Sequence, residues 1–284
     1  MSDGDSIQTS RLRRDGGGLS LDRVAAAWRQ RRVRWSTYGL AIVLLAGFSF
    51  WFAFARGLPS AEMLSHYQPP LPTNVRALDG EPVRQFARER RVYLTFEELP
   101  PRLVQAFISA EDKTFFQHGG LDYPGIASAV LTNLRNDGRP VGASTITQQV
   151  AKNLLLDNEL SYVRKIREAI LAKRIESTFT KEQILQLYLN QIFLGRNAYG
   201  VQAASRAYFD KDLGDLSLAE IAFLAVLPKA PSNYTPNTER GHARALERRD
   251  WILGQMADNG YITAAERDAA RAQPLVAIRP SEAK

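Results

Sequence analysis

From Ser36 to Ala55 the chain reads STYGLAIVLLAGFSFWFAFA, without one charged side chain. Coiled as a helix, at about 1.5 Å per residue, that run is long enough for a hydrocarbon core of roughly 30 Å. Trp35 and Trp51 stand where indole rings favour the membrane interface. The run is too long, and starts too far from the N-terminus, for a cleaved signal peptide, so it reads as a signal anchor. A Pro-rich stretch, Gln68 to Pro72, then leads to Asn74–Leu78 and Val83–Phe86, which alternate around Asp79-Gly80 and predict a β-hairpin. From Pro100 onward, apolar residues recur at helical spacing almost throughout. Four helix starts are marked by Ser or Thr with Gln or Glu three residues later, at Thr145, Thr180, Ser217 and Thr263. Gly195 and Pro228 mark stops. The pattern predicts a mainly α fold with one short N-terminal β-hairpin and one transmembrane helix.

Composition changes this picture little. A hydrophobic share of 45% over 284 residues suits a folded core, and the absence of cysteine excludes disulfides and thiolate chemistry. His66, His118 and His242 are too scattered to suggest a metal cage. Charge adds orientation. Residues 1–35 carry eight Arg and four Asp, 8 − 4 = +4, with most of the excess between Arg29 and Arg34. Positive charge beside a span stays inside, which leaves the N-terminus cytoplasmic and sends residues 56–284 across. Of the net +7, 7 − 4 = +3 remains outside. That surplus suits anionic head groups or phosphates and demands no nucleic acid.

Candidate chemistry begins where a stripe is broken. Val104, Phe107 and Ile108 lie on one helical face, Phe115 continues it, and Glu111 occupies a position on the same face. A carboxylate facing apolar neighbours loses hydration, so its proton affinity rises toward the range of general acid–base work. The competing reading ends the helix near Ala110 and leaves Glu111 solvated. In Gly142–Asn153, Ile146, Val150 and Leu154 define an inward face, while Thr145, Gln149 and Lys152 share another. That row either holds a sugar and an anionic group or is a solvated face with a capping Thr. In the next segment Val163, Ile166 and Ile170 are read as facing inward, with Arg164 and Glu168 together four residues apart. They form either a surface ion pair or part of a phosphate site, the cations there outnumbering what one carboxylate can use. Lys181–Asn190, with Ile184, Leu187, Tyr188 and Ile192 on a stripe, reads as architecture.

These four segments, in this order, resemble the signature motifs of the peptidoglycan glycosyltransferases. E-D-x-x-F-x-x-H-x-G-x-D is complete as Glu111, Asp112, Phe115, His118, Gly120 and Asp122, and G-x-S-T-I-T-Q-Q-x-x-K-N as Gly142 through Asn153. R-K-x-x-E is Arg164, Lys165 and Glu168; the fourth motif departs once, with Gln186 where Glu is usual, and Tyr208-Phe209-Asp210-Lys211 stands where Y-F-G-K is commoner. The resemblance covers roughly residues 66–270 and implies a lysozyme-like helical head with a small membrane-dipping lobe around Tyr123–Leu131. With the earlier readings this divides the chain into a cytoplasmic tail over 1–35, an anchor over 36–55, a linker and hairpin over 56–99, the enzyme domain over 100–270 and an extension over 271–284. Lipid II and a glycan on polyprenyl pyrophosphate would be the substrates, joined by an inverting β-1,4 transfer. Glu111 would be the general base and Glu168 the second catalytic carboxylate, positioning the donor or holding a divalent cation (Mg or Mn), with no organic cofactor. Asp112, Phe115, His118, Ser144, Thr145, Gln149, Lys152, Asn153, Arg164 and Lys165 would bind substrate or pyrophosphate. The lipid bilayer and other wall-synthesis proteins are the implied partners.

Arg248–Leu253 and Gly260–Thr263 look like the extension found in bifunctional class A penicillin-binding proteins. Ser281–Lys284 fits S-x-x-K formally, but K-T-G and S-x-N partners are absent, so no transpeptidase activity is expected from this chain. Whether the chain is the glycosyltransferase portion of a longer protein or a short relative stays open. Two other readings also stay open: a lytic, muramidase-like enzyme using Glu111 as an acid, and a non-catalytic scaffold for wall synthesis.

Overall fold

The computed structural model describes residues 21–65, 73–76, 82–86, 93–135, 142–156 and 162–278. The Pro-rich link, the Asp79-Gly80 turn, most of the basic tail before Leu21 and the Ser281–Lys284 tetrad lie outside the described residues. The chain divides into two units, residues 1–56 and 57–284.

In the first unit, helix α1 (Leu21–Phe50) runs without a break through the basic stretch and the apolar run, and a π-turn covers Trp51–Ala55. Arg34–Ala55 is long and apolar enough to cross a membrane, with a mean hydropathy of 1.9, and none of it is buried within the molecule. In the second unit, β1 (Thr73–Arg76) pairs antiparallel with β2 (Pro82–Phe86), Thr73 opposite Phe86 and Asn74 opposite Gln85. The register shifts between Val75 and Arg76, where Pro82 has no N–H to offer the ladder.

Nine helices follow among the described residues: α2 (Pro101–Glu111), α3 (Tyr123–Arg135), α4 (Ile146–Leu155), α5 (Tyr162–Thr178), α6 (Lys181–Gln191), α7 (Val201–Phe209), α8 (Leu218–Leu224), α9 (Glu239–Asp258) and α10 (Ala264–Ala272). All four expected capping boxes form, at Thr145, Thr180, Ser217 and Thr263, and a fifth at Thr95 opens a 3-10 turn. Both expected stops fall earlier. α6 ends at Gln191, and Gly195 sits in the following turn at φ +83°, where a Cβ would meet the Tyr208 hydroxyl at 2.7 Å. α8 ends at Leu224, and Pro228 belongs to a separate 3-10 turn over Leu227–Lys229.

The core holds the site in place. α4 packs on α5 and α6, α2 on α8 and α9, and α9 on α10. Leu103, Phe107 and Ile108 from α2 join Ile146 and Val150 from α4, Ile184 and Tyr188 from α6 and Phe223 from α8. Each such side chain contributes about 1.5–3 kcal/mol through burial. Gln186 and Asn190 on α6 latch the segment before α2: Gln186 accepts from the Phe96 amide (3.1 Å), and Asn190 bonds both polar groups of Leu94 (2.8 Å each). The Gln at the family's usual Glu position therefore keeps a hydrogen-bonded, architectural role.

α5 corrects the reading of its face. Val163 is 41% exposed, whereas the buried residues are Glu168, Leu171, Ala172 and Ile175. The true inward stripe carries a carboxylate. α3 is the other exception: only Ala129 is buried, while Tyr123, Val130, Leu131 and Leu134 stand exposed, Leu134 by 79%.

Candidate functional site

Glu111 is the last residue of α2, half-buried and still on the helical stripe, so the solvated-loop alternative is overturned. Its Oε2 accepts a 2.8 Å hydrogen bond from the Gln149 side-chain amide on α4, and the Tyr188 hydroxyl donates to Gln149 Oε1 at 3.4 Å. Burial raises its proton affinity above the ordinary 4.5, and Asp112 adds to the rise. The Gln149 bond and the charges of Arg248 and Lys229 pull the other way without cancelling it. Burial also holds the Tyr188 hydroxyl far above its ordinary 10.0, so it remains a donor.

The helix stops at Asp112 because that residue's side chain is engaged elsewhere. Its Oδ2 accepts from the amide of Ile146, the first residue of α4 (3.0 Å), and both oxygens meet His118 Nε2 at 2.9 and 3.1 Å. The Gly120 amide donates to His118 Nδ1 (3.2 Å), which fixes the ring proton on Nε2. Burial raises the Asp112 proton affinity, opposed chiefly by the His118 bond. Thr145 caps α4, and its hydroxyl also bonds the Gly120 carbonyl (2.7 Å). Gly120 itself is held at φ +90° against α5, where a Cβ would meet the Ala172 carbonyl oxygen at 2.8 Å. Below the loop, Lys181 bonds the His118 carbonyl (2.6 Å) and Glu176 (2.8 Å), and Thr147 donates to Glu176 (2.6 Å). One polar knot thus ties α2 to α4, α5 and α6.

Glu168, 2% exposed, is clamped by two cations: Arg164 Nε at 3.0 Å from Oε1 and Lys165 Nζ at 2.7 Å from Oε2. The same Lys165 ammonium donates to Ser144 Oγ at 2.7 Å. Both Glu168 oxygens are thus paired with cations, and among the described residues no three His, Cys, Asp or Glu side chains group together.

The expected site residues divide by position. Glu111, Asp112 and Ser144 line a cavity of about 210 Å³ together with Gly125 and Ser128 of α3. Gln149, Lys152 and Asn153 line a second, of about 510 Å³, beside Gln191, Phe193 and Tyr199. Gln149 bridges the two through its bond to Glu111. Phe115 is wholly buried under Lys181, whose Nζ lies 4.2 Å from the ring centroid, so it offers a ligand no surface. His118 and Thr145 are likewise engaged inward. All three side chains are engaged within the fold around the turn after α2. Glu168 reaches the first cavity's edge only through Lys165 and Ser144. Residues without a sequence signal also stand here. Lys229 and Arg248 come electrostatically within reach of Glu111 from elements far along the chain, and Arg248 Nη2 donates to the Ala110 carbonyl (3.4 Å). Glu176 and Thr147 complete the knot.

The sequence model of the Transglycosylase family matches residues 79–257. The chain is 48% identical over 228 residues to penicillin-binding protein 1A of Rickettsia felis, covering 79% of this chain and 29% of that protein. It is 46% identical over 220 residues to the protein of the same name from Neisseria flavescens, covering 77% and 27%. It therefore spans under a third of the length of these relatives. A 2.6 Å crystal structure of penicillin-binding protein 1A from Haemophilus influenzae aligns with a TM-score of 0.43 at 28% identity, over 75% of this chain and 22% of that one. With more than half of its residues inside the family match, the chain belongs to the transglycosylase family.

Proposed function

We propose that this chain polymerises lipid II into β-1,4 glycan strands with inversion, releasing polyprenyl pyrophosphate, at the outer face of a bacterial inner membrane. One observation carries the reading. Glu111 is a half-buried carboxylate with raised proton affinity, held by an amide rather than an ion pair, at the junction of two cavities. Such a group can accept the proton of a sugar hydroxyl near neutral pH.

In one step, the 4-hydroxyl oxygen of the acceptor attacks the anomeric carbon of the donor. Its proton passes to Glu111, the new C–O bond forms, and the bond to pyrophosphate breaks with its electron pair. Single displacement inverts the centre. Lys165, Arg164 and Lys152 offset charge on the departing pyrophosphate, and fixed cations cost no reorganisation as that charge develops. Glu168 positions Arg164 and Lys165 and needs no metal to do so. Ser144 joins them to the cavity, Gln149 orients Glu111, and Asn153 offers an amide to sugar. Asp112, His118, Phe115 and Thr145 act by holding the end of α2 against the start of α4.

The Arg34–Ala55 helix spans the bilayer with the basic tail inside, and the exposed apolar residues of α3 rest on lipid, where both substrates are confined. Detergent-solubilised protein incubated with lipid II should yield long glycan strands and leave finished glycan intact. Cleavage of finished glycan without polymer formation would refute the reading.

A further inference from the structure

A third cavity, of about 340 Å³, shares Arg248 with the surroundings of Glu111. Lys229, Arg244 and Arg248 line it beside a single carboxylate, Glu247, so cations exceed acids three to one. Among the described residues, neither Lys229 nor Arg244 forms an ion pair that would use that charge. Arg248 stacks on Trp251, its Cζ 3.8 Å from the ring centroid, and its buried Nε has no hydrogen-bond partner among the described residues. Trp251, 43% exposed, and Tyr234 add aromatic surface. The cavity combines surplus positive charge with an aromatic wall, and no pyrophosphate-binding role is assigned to it: Lys152 lines the second cavity, and Lys165 meets Ser144 at the edge of the first.

We infer that this cavity is a subsite for the carboxylates of an acidic peptide borne by the acceptor. The inference rests on the proposed function and names a further part of its substrate. Peptidoglycan carries peptide on glycan, and an acceptor whose hydroxyl meets Glu111 brings that appendage close to Arg248. Guanidinium groups match carboxylates with paired hydrogen bonds, and the Trp251 ring suits small apolar side chains between them. Arg244, exposed and not among the charges that act on Glu111, is the residue that reads the peptide without taking part in transfer.

Trp251 provides the readout, because the other tryptophans of the four, Trp28, Trp35 and Trp51, all lie in the first unit. The full chain in detergent is titrated with acetyl-Ala-Glu-Ala bearing free carboxylates, with its fully amidated twin, and with inorganic pyrophosphate. The acid peptide should change Trp emission saturably and the amide should not. Arg244→Ala should weaken that binding about fivefold, the upper range for an exposed ion pair, and Arg244→Lys should restore most of it. In polymerisation, Arg244→Ala should raise KM for a peptide-bearing acceptor about as much, leaving kcat and the use of a peptide-free acceptor unchanged. No emission change with the acid peptide, saturation by pyrophosphate instead, or an equal loss with both acceptors overturns the inference. Peptide binding by a wild-type chain that polymerises nothing would support the subsite while sinking the proposed function, which keeps the two failures apart.

Discussion

The end of α2 and the first turns of α5 each bring a glutamate onto an otherwise apolar helical face, and the two faces treat it oppositely. Glu111 meets an amide at 2.8 Å and feels its cations from a distance, so burial wins and its proton affinity rises. Glu168 is more deeply buried and meets two cations within 3.0 Å, which hold it in a fixed place. A buried carboxylate without an ion-pair partner is poised to exchange a proton; one with two partners is poised to hold them still. Burial alone therefore does not assign a role. What neutralises the charge does.

Breaking the contrast at its reactive end has the largest expected effect. Glu111→Gln keeps shape and the Gln149 contact but cannot accept a proton, and polymerisation by purified protein should fall by about 10²–10⁴-fold. Glu168→Gln removes the charge that organises Arg164 and Lys165. The rate should drop by roughly 10²-fold, the scale of losing a fixed electrostatic contribution, and acceptor KM should change less than kcat.

The two glutamates also differ in legibility. Glu111 can be read because α2 offers a single stripe, so one acidic residue on it is conspicuous. α5 offers two, and in sequence Val163-Ile166-Ile170 is the more apolar one; the fold buries the other, with Leu171 and Ile175 in the core, and leaves Val163 exposed. Capping residues announce four helix starts correctly, since that chemistry is local. Thr145 reads as a ligand contact for the same local reason, its hydroxyl being visible in sequence while the Gly120 carbonyl that takes it is not. Nothing in the sequence signals that Arg248 and Lys229 act on Glu111, because that approach depends on how α8 and α9 pack on α2.

Smaller effects sharpen the contrast. Gln149→Ala removes the hydrogen bond that favours ionised Glu111, so activity at neutral pH should fall about tenfold and recover at higher pH. A rate loss independent of pH would make Gln149 a substrate contact instead. Stability should move least. Glu111 binds its proton more tightly folded than unfolded, so its contribution is present at low pH and is lost as pH rises through the folded value. Glu111→Gln should therefore raise Tm by a few degrees at pH 8 and change it little at pH 4. Glu168→Gln, which leaves two cations without their anion, should lower Tm at pH 8.

The most direct test of the central claim is the pH dependence of kcat/KM for lipid II polymerisation. The rate of the wild-type chain should fall on acidification with a midpoint above 4.5, the ordinary value for a glutamate, and that midpoint should climb further in Arg248→Gln. A midpoint at or below 4.5, or one that stays put when Arg248 loses its charge, would contradict a desolvated Glu111 acting as the base.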